Sequence, residues 1–175
     1  MLAIVGSSPS VPPAVFDSTA EIWAFNTAVS TFPRVDIGFQ IHIDWDKRYS
    51  PFYYEWLKAN RSVPIYTRTL ETGIPLSLPY PYASVFKMLK RVKHRNRPLR
   101  LFTSSHSWAI ALAILQNRPR IDVYGIDMEY NEYKNQKDGF IFWIGFAAGR
   151  GIELNIHCAD NIFHKPLYGM QPLGE

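Results

Sequence analysis

The chain has 175 residues, of which 47% are hydrophobic and 19% charged, and this balance excludes an intrinsically disordered protein. This length suits one core, so we predict one domain over residues 1–175. The net charge of +4 permits an anionic partner without requiring one. A lone cysteine, Cys158, excludes an intramolecular disulfide and favours a cytoplasmic protein. Neither a signal peptide nor a membrane span of about 18 apolar residues is expected.

The first predicted strand is Leu2–Val5, a wholly apolar run typical of a strand that is buried on both faces. Gly6–Ser10 follows directly, where a turn of glycine and hydroxyl residues brings backbone N–H groups close to a phosphate or ribose. The loop has neither the Gly-Lys-Ser/Thr of a P-loop nor a GxGxxG pattern, so an ordinary turn is the alternative. We predict that Gly6, Ser7 and Ser8 contact a ligand.

Polar residues also end the next two predicted strands. Glu21–Phe25 ends at Asn26, whose amide could contact a base or ribose or could cap a turn. Val35–Ile43 carries His42, with Asp44 just beyond it. A histidine and an aspartate at a sheet edge could bind metal, act as a base with its orienting carboxylate, or serve structure alone.

A helix is predicted over Tyr53–Ala59 and a fourth strand over Val63–Tyr66. The Thr, Pro and Gly residues of Thr67–Pro81 predict a loop that is long enough to be a lid or a partner contact.

The next predicted helix, Ser84–Val92, begins a basic run. Residues 87–100 contain seven Lys or Arg and no acid. Such a run is either a solvated helix face or a site for nucleic acid or another polyanion. The residues assigned to nucleic-acid contact are Lys90, Arg91, Lys93, Arg95 and Arg97.

The segment 99–130 is interpreted as a βαβ unit. Leu101 and Phe102 end a strand, Thr103–Ser105 open a helix through Leu115, and Ile121–Tyr124 form the next strand. Parallel strand ends and the helix N-terminus then share one sheet edge, where a helix N-terminus favours an anion. Thr103, Ser104, Ser105, Gly125 and Asp127 are therefore candidate ligand contacts. Asp127 could hold a ribose hydroxyl, a phosphate bridged by a divalent cation, or only its own turn.

Beyond this unit, Glu129, Tyr130 and Tyr133 form a polar aromatic loop. Asp138 is predicted to cap a last helix over Gly139–Ala148, which carries Trp143 as a core residue. A final strand follows over Ile152–Ile156.

Together these patterns predict an α/β protein, a three-layer Rossmann-like fold whose mainly parallel sheet has about six strands. Most strands end in polar residues, which fits a pocket for a nucleotide-like ligand at the carboxyl edge of the sheet. The chain has no zinc-ligand spacing and no GxSxG nucleophile elbow.

Gly6–Ser10, Asn26, Thr103-Ser104 and the Tyr-Gly-Ile-Asp run ending at Asp127 form an ordered set. This set resembles the bacterial sialyltransferases of glycosyltransferase family 42. It is also similar to DUF115 proteins, which include the 6-hydroxymethylpterin diphosphokinases of the MptE type. The spacing from Asp36 to His42 and the FWIGFAAGRGI run resemble small Rossmann-like proteins of tailed phages.

The sialyltransferase resemblance implies a CMP-type nucleotide in the pocket. It implies that Gly6, Ser7 and Ser8 line the phosphate or ribose and that Asn26 approaches the phosphate or sugar. It places Thr103 and Ser104 beside the nucleotide, and Gly125 and Asp127 at its base and ribose side. The family's catalytic histidine after the Gly-Ile-Asp strand has no counterpart here, because Met128–Phe140 contains no histidine.

We therefore predict binding of a nucleotide or nucleotide-sugar, with glycosyl transfer as the candidate reaction. His42 is the candidate base, and Asp127 or Glu129 is a second acid/base or a metal contact. The basic run leaves room for a nucleic-acid acceptor. One alternative is a non-catalytic phage protein, in the host cytoplasm, that sequesters a nucleotide signal or binds a host protein. Another is a nucleotide or pterin diphosphokinase, which needs Mg²⁺ and clustered carboxylates.

Overall fold

The computed structural model describes residues 1–42, 51–99, 101–128, 134–158 and 163, and the fold is given for these ranges. They contain a seven-stranded parallel sheet and a small antiparallel hairpin. The sheet strands are β1 Leu2–Val5, β2 Glu21–Phe25, β3 Ile37–Gln40, β4 Ile65–Thr67, β5 Ser77–Pro79, β8 Arg120–Tyr124 and β9 Glu153–His157. The hairpin pairs β6 Lys93–His94 with β7 Arg97–Pro98.

Five α-helices and one 3₁₀ turn are assigned within the described ranges. The 3₁₀ turn is Pro13–Val15, and the helices are α1 Ala28–Thr31, α2 Pro51–Ala59, α3 Tyr82–Met88, α4 Ser105–Leu115 and α5 Lys134–Ala148. Leu115 ends α4 shortly before Pro119, which lacks the N–H that a helix interior needs.

The strand order is β5-β4-β3-β2-β1-β8-β9, so the chain first builds one half of the sheet and then the other. β1 lies in the middle, with Leu2 to Val5 paired to β2 on one side and to β8 on the other. The direction of winding reverses between β1 and β8. In open α/β sheets a crevice for ligands forms at such a switch point, outside the carboxyl ends of the strands.

Helices cover both faces of the sheet because the strands are apolar on both sides. One face of the sheet carries Ile4, Trp23 and Phe39, which pack against the fully buried residues of α4 and against Phe140 and Trp143 of α5. On the opposite face Ala24 and Ile65 pack with Tyr53 and Leu57 of α2. The result is the three-layer Rossmann-like α/β fold that the sequence predicts, with seven parallel strands where about six were expected.

The prediction that a strand ends at Leu101 and Phe102 is wrong, so α4 is not preceded by a strand of a βαβ unit. Leu101 and Phe102 lie instead in the loop between β7 and α4. The carbonyl of Leu101 accepts a hydrogen bond from Trp143 Nε1 at 3.0 Å, and the Phe102 ring stacks on Trp108 at 3.9 Å. The segment is fixed by aromatic side chains of α4 and α5 rather than by a strand ladder.

Three other local predictions are corrected. Asp138 does not cap the last helix, because α5 already begins at Lys134. The predicted loop Thr67–Pro81 contains the short edge strand β5, which pairs in parallel with β4. The helix predicted over Ser84–Val92 lies at Tyr82–Met88 and is followed by the β6–β7 hairpin, which the sequence pattern did not reveal. In the described ranges, no helix is long and apolar enough to cross a bilayer.

Candidate functional site

The carboxyl ends of the parallel strands bring the predicted polar residues to one edge of the sheet. All seven strands end at this edge, and the five in the middle are β4, β3, β2, β1 and β8, in that spatial order. The residues that follow them are Arg68, Ile41 and His42, Asn26, Gly6, and Gly125. α4 runs back toward the opposite edge and packs over β1 to β3, so its N-terminus lies above the same carboxyl edge.

The loops after β1 and β8 join at the switch point of the sheet. The backbone N–H of Gly6 donates to the carbonyl of Tyr124 at 2.8 Å, and that of Ser8 donates to the carbonyl of Gly125 at 3.1 Å. The carboxylate of Asp127 accepts hydrogen bonds from the Ser8 hydroxyl and, at 2.8 Å, from the Ser10 hydroxyl. We call Gly6, Ser8, Ser10, Gly125 and Asp127 the switch-point cluster.

The two glycines of this cluster allow a backbone approach that no side chain would permit. A Cβ at Gly6 would lie 2.1 Å from the carbonyl oxygen of Gly125, which is far inside contact distance. Gly125 has a φ of +62°, in the left-handed region that favours glycine, and its own Cβ would meet Val11 at 2.3 Å. The close packing of the two loops therefore depends on glycine at both positions.

Buried polar atoms without a hydrogen-bond partner occur at the ends of β2 and β3 and at the start of α4. Within the part of the chain that the structure describes, these atoms are Asn26 Oδ1, both amide atoms of Gln40, and His106 Nδ1. Gln40 is the last residue of β3 and is only 2% exposed. The His106 ring lies edge-on against Phe25 at 4.6 Å, at the end of β2. Gln40 alternates with Phe39, which packs against α4, so the Gln40 side chain faces the other side of the sheet from His106. Because buried polar groups are normally paired, unpartnered atoms at the carboxyl edge of the sheet make this region a candidate ligand site.

Asn26 holds its place through an unusual backbone conformation. Its φ is +52°, and its N–H donates to the carbonyl of Phe39 at 3.0 Å. Asparagine adopts this left-handed conformation more readily than most residues. The chain therefore turns away from the strand direction at Asn26. The side-chain oxygen of Asn26 is buried and has no hydrogen-bond partner in the described residues.

The hydroxyls at the start of α4 are engaged within the protein. Ser104 is the N-cap, and its Oγ accepts from the Ser107 N–H at 3.3 Å. The Thr103 hydroxyl donates to the carbonyl of Gln136 at 2.9 Å and accepts from the N–H of Gly139 at 3.1 Å, which ties α4 to α5. Ser105 is the first residue of the helix. The predicted helix start is confirmed, whereas ligand contact by these three residues stays a prediction.

The predicted catalytic residues do not all lie together. His42 is half-buried and follows β3, whereas Asp127 follows β8, three strands away. At about 4.8 Å per strand, the two chain segments are separated by roughly 14 Å. Asp44 and Glu129 lie outside the described residues. Among the residues that are described, no group of three or more His, Cys, Asp or Glu could hold a metal ion.

The basic residues assigned to nucleic-acid contact are exposed at the end of α3 and on the β6–β7 hairpin: Lys90, Arg91, Lys93, Arg95 and Arg97. Arg95 and Asn96 form a tight two-residue turn, with φ of +46° and +64°. The hairpin therefore holds His94 opposite Arg97 and presents its charges to solvent.

Burial lowers the pKa of His106 to about 4 from its usual 6.5. The ring is therefore neutral near pH 7, with one nitrogen able to accept a hydrogen bond and the other able to donate one. The burial of His106 could not be predicted from the sequence, because the residue stands in a polar Ser-Ser-His run. The burial of the Gln40 amide could not be predicted either, because one polar residue in a strand can equally face solvent.

We expect the free energy of unfolding to depend on His106 in acid. The pKa of His106 is lower in the folded protein than in the unfolded chain, so the unfolded chain takes up a proton first. The contribution of a neutral His106 to the free energy of unfolding is therefore fully present above pH 6.5. The free energy of unfolding should fall by about 2–3 kcal/mol as the pH drops through 6.5 toward 4. Urea unfolding at several pH values should show this loss in the wild type and less of it in His106→Phe. The exposed His94→Gln variant should keep the wild-type pH dependence; equal pH dependence in all three proteins would contradict the assignment.

Comparison with known proteins gives one solved structure of similar fold. The sialyltransferase CstII from Campylobacter jejuni, in complex with the substrate analogue cytidine-5'-monophosphate, is similar over 91% of this chain and 80% of its own, with a TM-score of 0.53 and 13% sequence identity. No family model matches the chain, and no curated protein matches it. The likeness shows a distant glycosyltransferase-like fold. The resemblances to DUF115 and phage proteins stay predictions.

Proposed function

We propose that the protein binds a nucleotide or nucleotide-sugar at the carboxyl edge of its sheet and acts as a glycosyltransferase-like group transferase. The observation that carries this proposal is the set of unpartnered buried polar atoms of Asn26, Gln40 and His106 at that edge. The switch-point cluster lies next to it along the same edge, where open α/β folds bind nucleotides. A protein of this fold has been solved with CMP bound.

Different residues suit different parts of the ligand. Because the N–H groups of Gly6 and Ser8 donate to Tyr124 and Gly125, the donors that the Gly6–Ser10 loop offers to phosphate or ribose oxygens are the N–H and hydroxyl of the exposed Ser7. The Asp127 carboxylate can accept from ribose hydroxyls, in exchange for one of its serine donors. The amides of Asn26 and Gln40 and the imidazole of His106 offer both donors and acceptors, which suits a sugar or a base edge.

In the proposed transfer, an acceptor oxygen attacks the sugar carbon that carries the nucleotide. The bond between that carbon and the phosphate oxygen breaks, and the nucleotide leaves with the electron pair. The proton of the acceptor passes to a base, for which His42 is the candidate because it follows β3 between the two ends of the edge.

Calorimetric titration with CMP, UMP, AMP and GMP tests the nucleotide site. We expect one of them to bind to the wild type, and Asp127→Asn to weaken that affinity at least tenfold, about 1.4 kcal/mol. Asp138→Asn, which changes an exposed carboxylate of α5, is the matched control and should bind as the wild type does. If none of the four nucleotides binds, the proposal fails; binding without sugar transfer would favour sequestration of a nucleotide.

A nucleic-acid acceptor is a second proposal, and it is supported by the exposed basic hairpin. Phosphate contacts by Lys and Arg release counterions, so affinity should fall steeply with salt. Arg95→Glu/Arg97→Glu should lower the affinity for double-stranded DNA and reduce the salt slope by about 2. Arg61→Glu/Arg150→Glu alters the net charge equally at other exposed positions and is the control. Equal losses in the two double variants would point to net charge rather than to a hairpin site.

A further inference from the structure

A cleft of about 480 Å³ opens at the other end of the carboxyl edge, away from the switch-point cluster. It is lined by Ile41 after β3, Arg68 after β4, Tyr82 and Phe86 of α3, and Trp108 of α4. We call it the aromatic cleft. Its volume lies in the range of sites for small molecules, which are mostly apolar with a few placed polar groups.

The aromatic wall of this cleft is held in place by contacts beneath it. Trp108 stacks on Phe102 at 3.9 Å and meets the Tyr82 ring edge-on at 4.9 Å. The Tyr80 hydroxyl donates to the carbonyl of Trp108 at 2.7 Å. Tyr82, Phe86 and Trp108 are all half-buried, so part of each ring stays accessible. A wall fixed in this way loses little entropy when a ring packs against it.

Arg68 gives the aromatic cleft its charge. It is exposed, and its guanidinium lies near enough to the Tyr82 hydroxyl to oppose the rise that burial causes in the pKa of Tyr82. None of the described residues that line the cleft is a carboxylate, so none of them neutralises the guanidinium. A guanidinium binds carboxylate or phosphate groups through paired hydrogen bonds. The cleft therefore combines an apolar ring surface with one anion-binding group.

The position of the cleft suits a second substrate. The ends of β4 and β1 are three strand spacings apart, or about 14 Å at 4.8 Å per strand. The ends of β3 and β2 lie between them. Two ligands of ordinary size could thus occupy one edge with their reacting groups near β2 and β3.

We propose that the aromatic cleft is the acceptor site and that it binds a sugar ring carrying a carboxylate or phosphate. The apolar face of the ring packs on Tyr82, Phe86 and Trp108, and the anion binds Arg68. The acceptor role rests on the proposed function, in which a nucleotide occupies the switch-point cluster; the binding of an anionic sugar does not.

The test compares methyl β-D-glucuronide with methyl β-D-glucoside, which lacks the carboxylate, on the full chain. The indole N–H signal of Trp108, assigned with Trp108→Phe, is followed by ¹⁵N NMR during the titration. We expect the glucuronide to shift this signal and to bind more tightly than the glucoside. Glucose 6-phosphate, titrated in parallel, distinguishes a phosphate from a carboxylate as the preferred anion.

Arg68→Met should weaken binding of the glucuronide roughly 10- to 100-fold, as loss of a charge-assisted hydrogen bond does, and leave the glucoside unchanged. Arg150→Met is the matched control. Arg150 also lies over an aromatic ring, 5.2 Å from the centre of Phe146, but it follows the C-terminal end of α5 and does not line the cleft. The Arg150→Met variant should bind both sugars as the wild type does. Both variants change exposed arginines, so neither is expected to unfold the chain.

Failure of this proposal is separable from failure of the proposed function. If the anionic sugars bind no better than the glucoside, or if Arg68→Met and Arg150→Met behave alike, the aromatic cleft proposal is overturned, whatever CMP does. If the anionic sugar binds through Arg68 but no nucleotide binds, the cleft is supported as a sugar site and the acceptor role falls. Binding of CMP by Arg68→Met at wild-type affinity would support two separate sites.

Discussion

Gly6→Ala is expected to lower the free energy of unfolding by about 3 kcal/mol, which corresponds to a fall in Tm of roughly 6–12 °C. The added Cβ would meet the backbone oxygen of Gly125 at 2.1 Å and its carbonyl carbon at 2.8 Å. Backbone atoms cannot rotate away as a flexible side chain can. The loops after β1 and β8 must therefore separate, and nucleotide binding should be lost as well. Thermal unfolding followed by circular dichroism measures the first effect and calorimetry the second.

Gly145→Ala is the matched control for this substitution. Gly145 lies inside α5, and a Cβ there would meet nothing within 4 Å. Alanine favours helix over glycine by roughly 0.5–1 kcal/mol, so this variant should be slightly more stable than the wild type. If Gly6→Ala melted at the wild-type temperature, the close approach of the two loops at the switch point would be refuted.

Gln40→Met should have the opposite effect on stability. Gln40 is 2% exposed, and both polar atoms of its amide lack partners in the described structure, at a cost of about 1–3 kcal/mol for each unpaired group. Methionine has a similar shape without that cost. We expect a gain of about 2 kcal/mol in urea unfolding, together with at least a tenfold loss of affinity for the nucleotide or sugar ligand. This combination is typical of a residue kept for function against stability.

Thr67→Val provides the comparison for Gln40→Met. Thr67 pairs with Gln40 in register on β4 and is equally buried. Its hydroxyl bonds to the carbonyl of Thr69 at 2.6 Å and to the Ser77 hydroxyl at 2.7 Å. Removing it should therefore destabilise the chain by about 1–2 kcal/mol. A loss of stability in both variants would show that the Gln40 amide is satisfied in solution and would remove the main support for the ligand site.

Several strands could be predicted from the sequence because their signal is local. Leu2–Val5 and Glu21–Phe25 are short apolar runs ended by polar turn residues, and both strands lie where they were predicted. The Thr-Ser-Ser run likewise marks the start of α4, since a serine side chain caps a helix within its own first turn. Such signals need only neighbours in sequence.

Elements that depend on distant partners were missed or wrongly assigned. Leu101 and Phe102 have the composition of a strand. Leu101 instead accepts a hydrogen bond from Trp143 of α5, and Phe102 stacks on Trp108 of α4. The strand β5 is three residues long and exists through its pairing with β4. Local propensity cannot report a contact that depends on another element of the structure.

The sequence by itself determined the class of fold and the polar strand ends at Gly6, Asn26 and Gly125, because hydrophobic period and turn chemistry are local properties. Only the tertiary structure decided which of these ends meet. It joined Ser8 and Ser10 to Asp127 across neighbouring strands, set His42 three strands from Asp127, and placed Arg68 beside the aromatic rings. Within the described residues, it also left the Gln40 amide and His106 Nδ1 without hydrogen-bond partners. The physical reason is that strand order and burial arise from the packing of the whole chain, and they fix both distance and desolvation at the site.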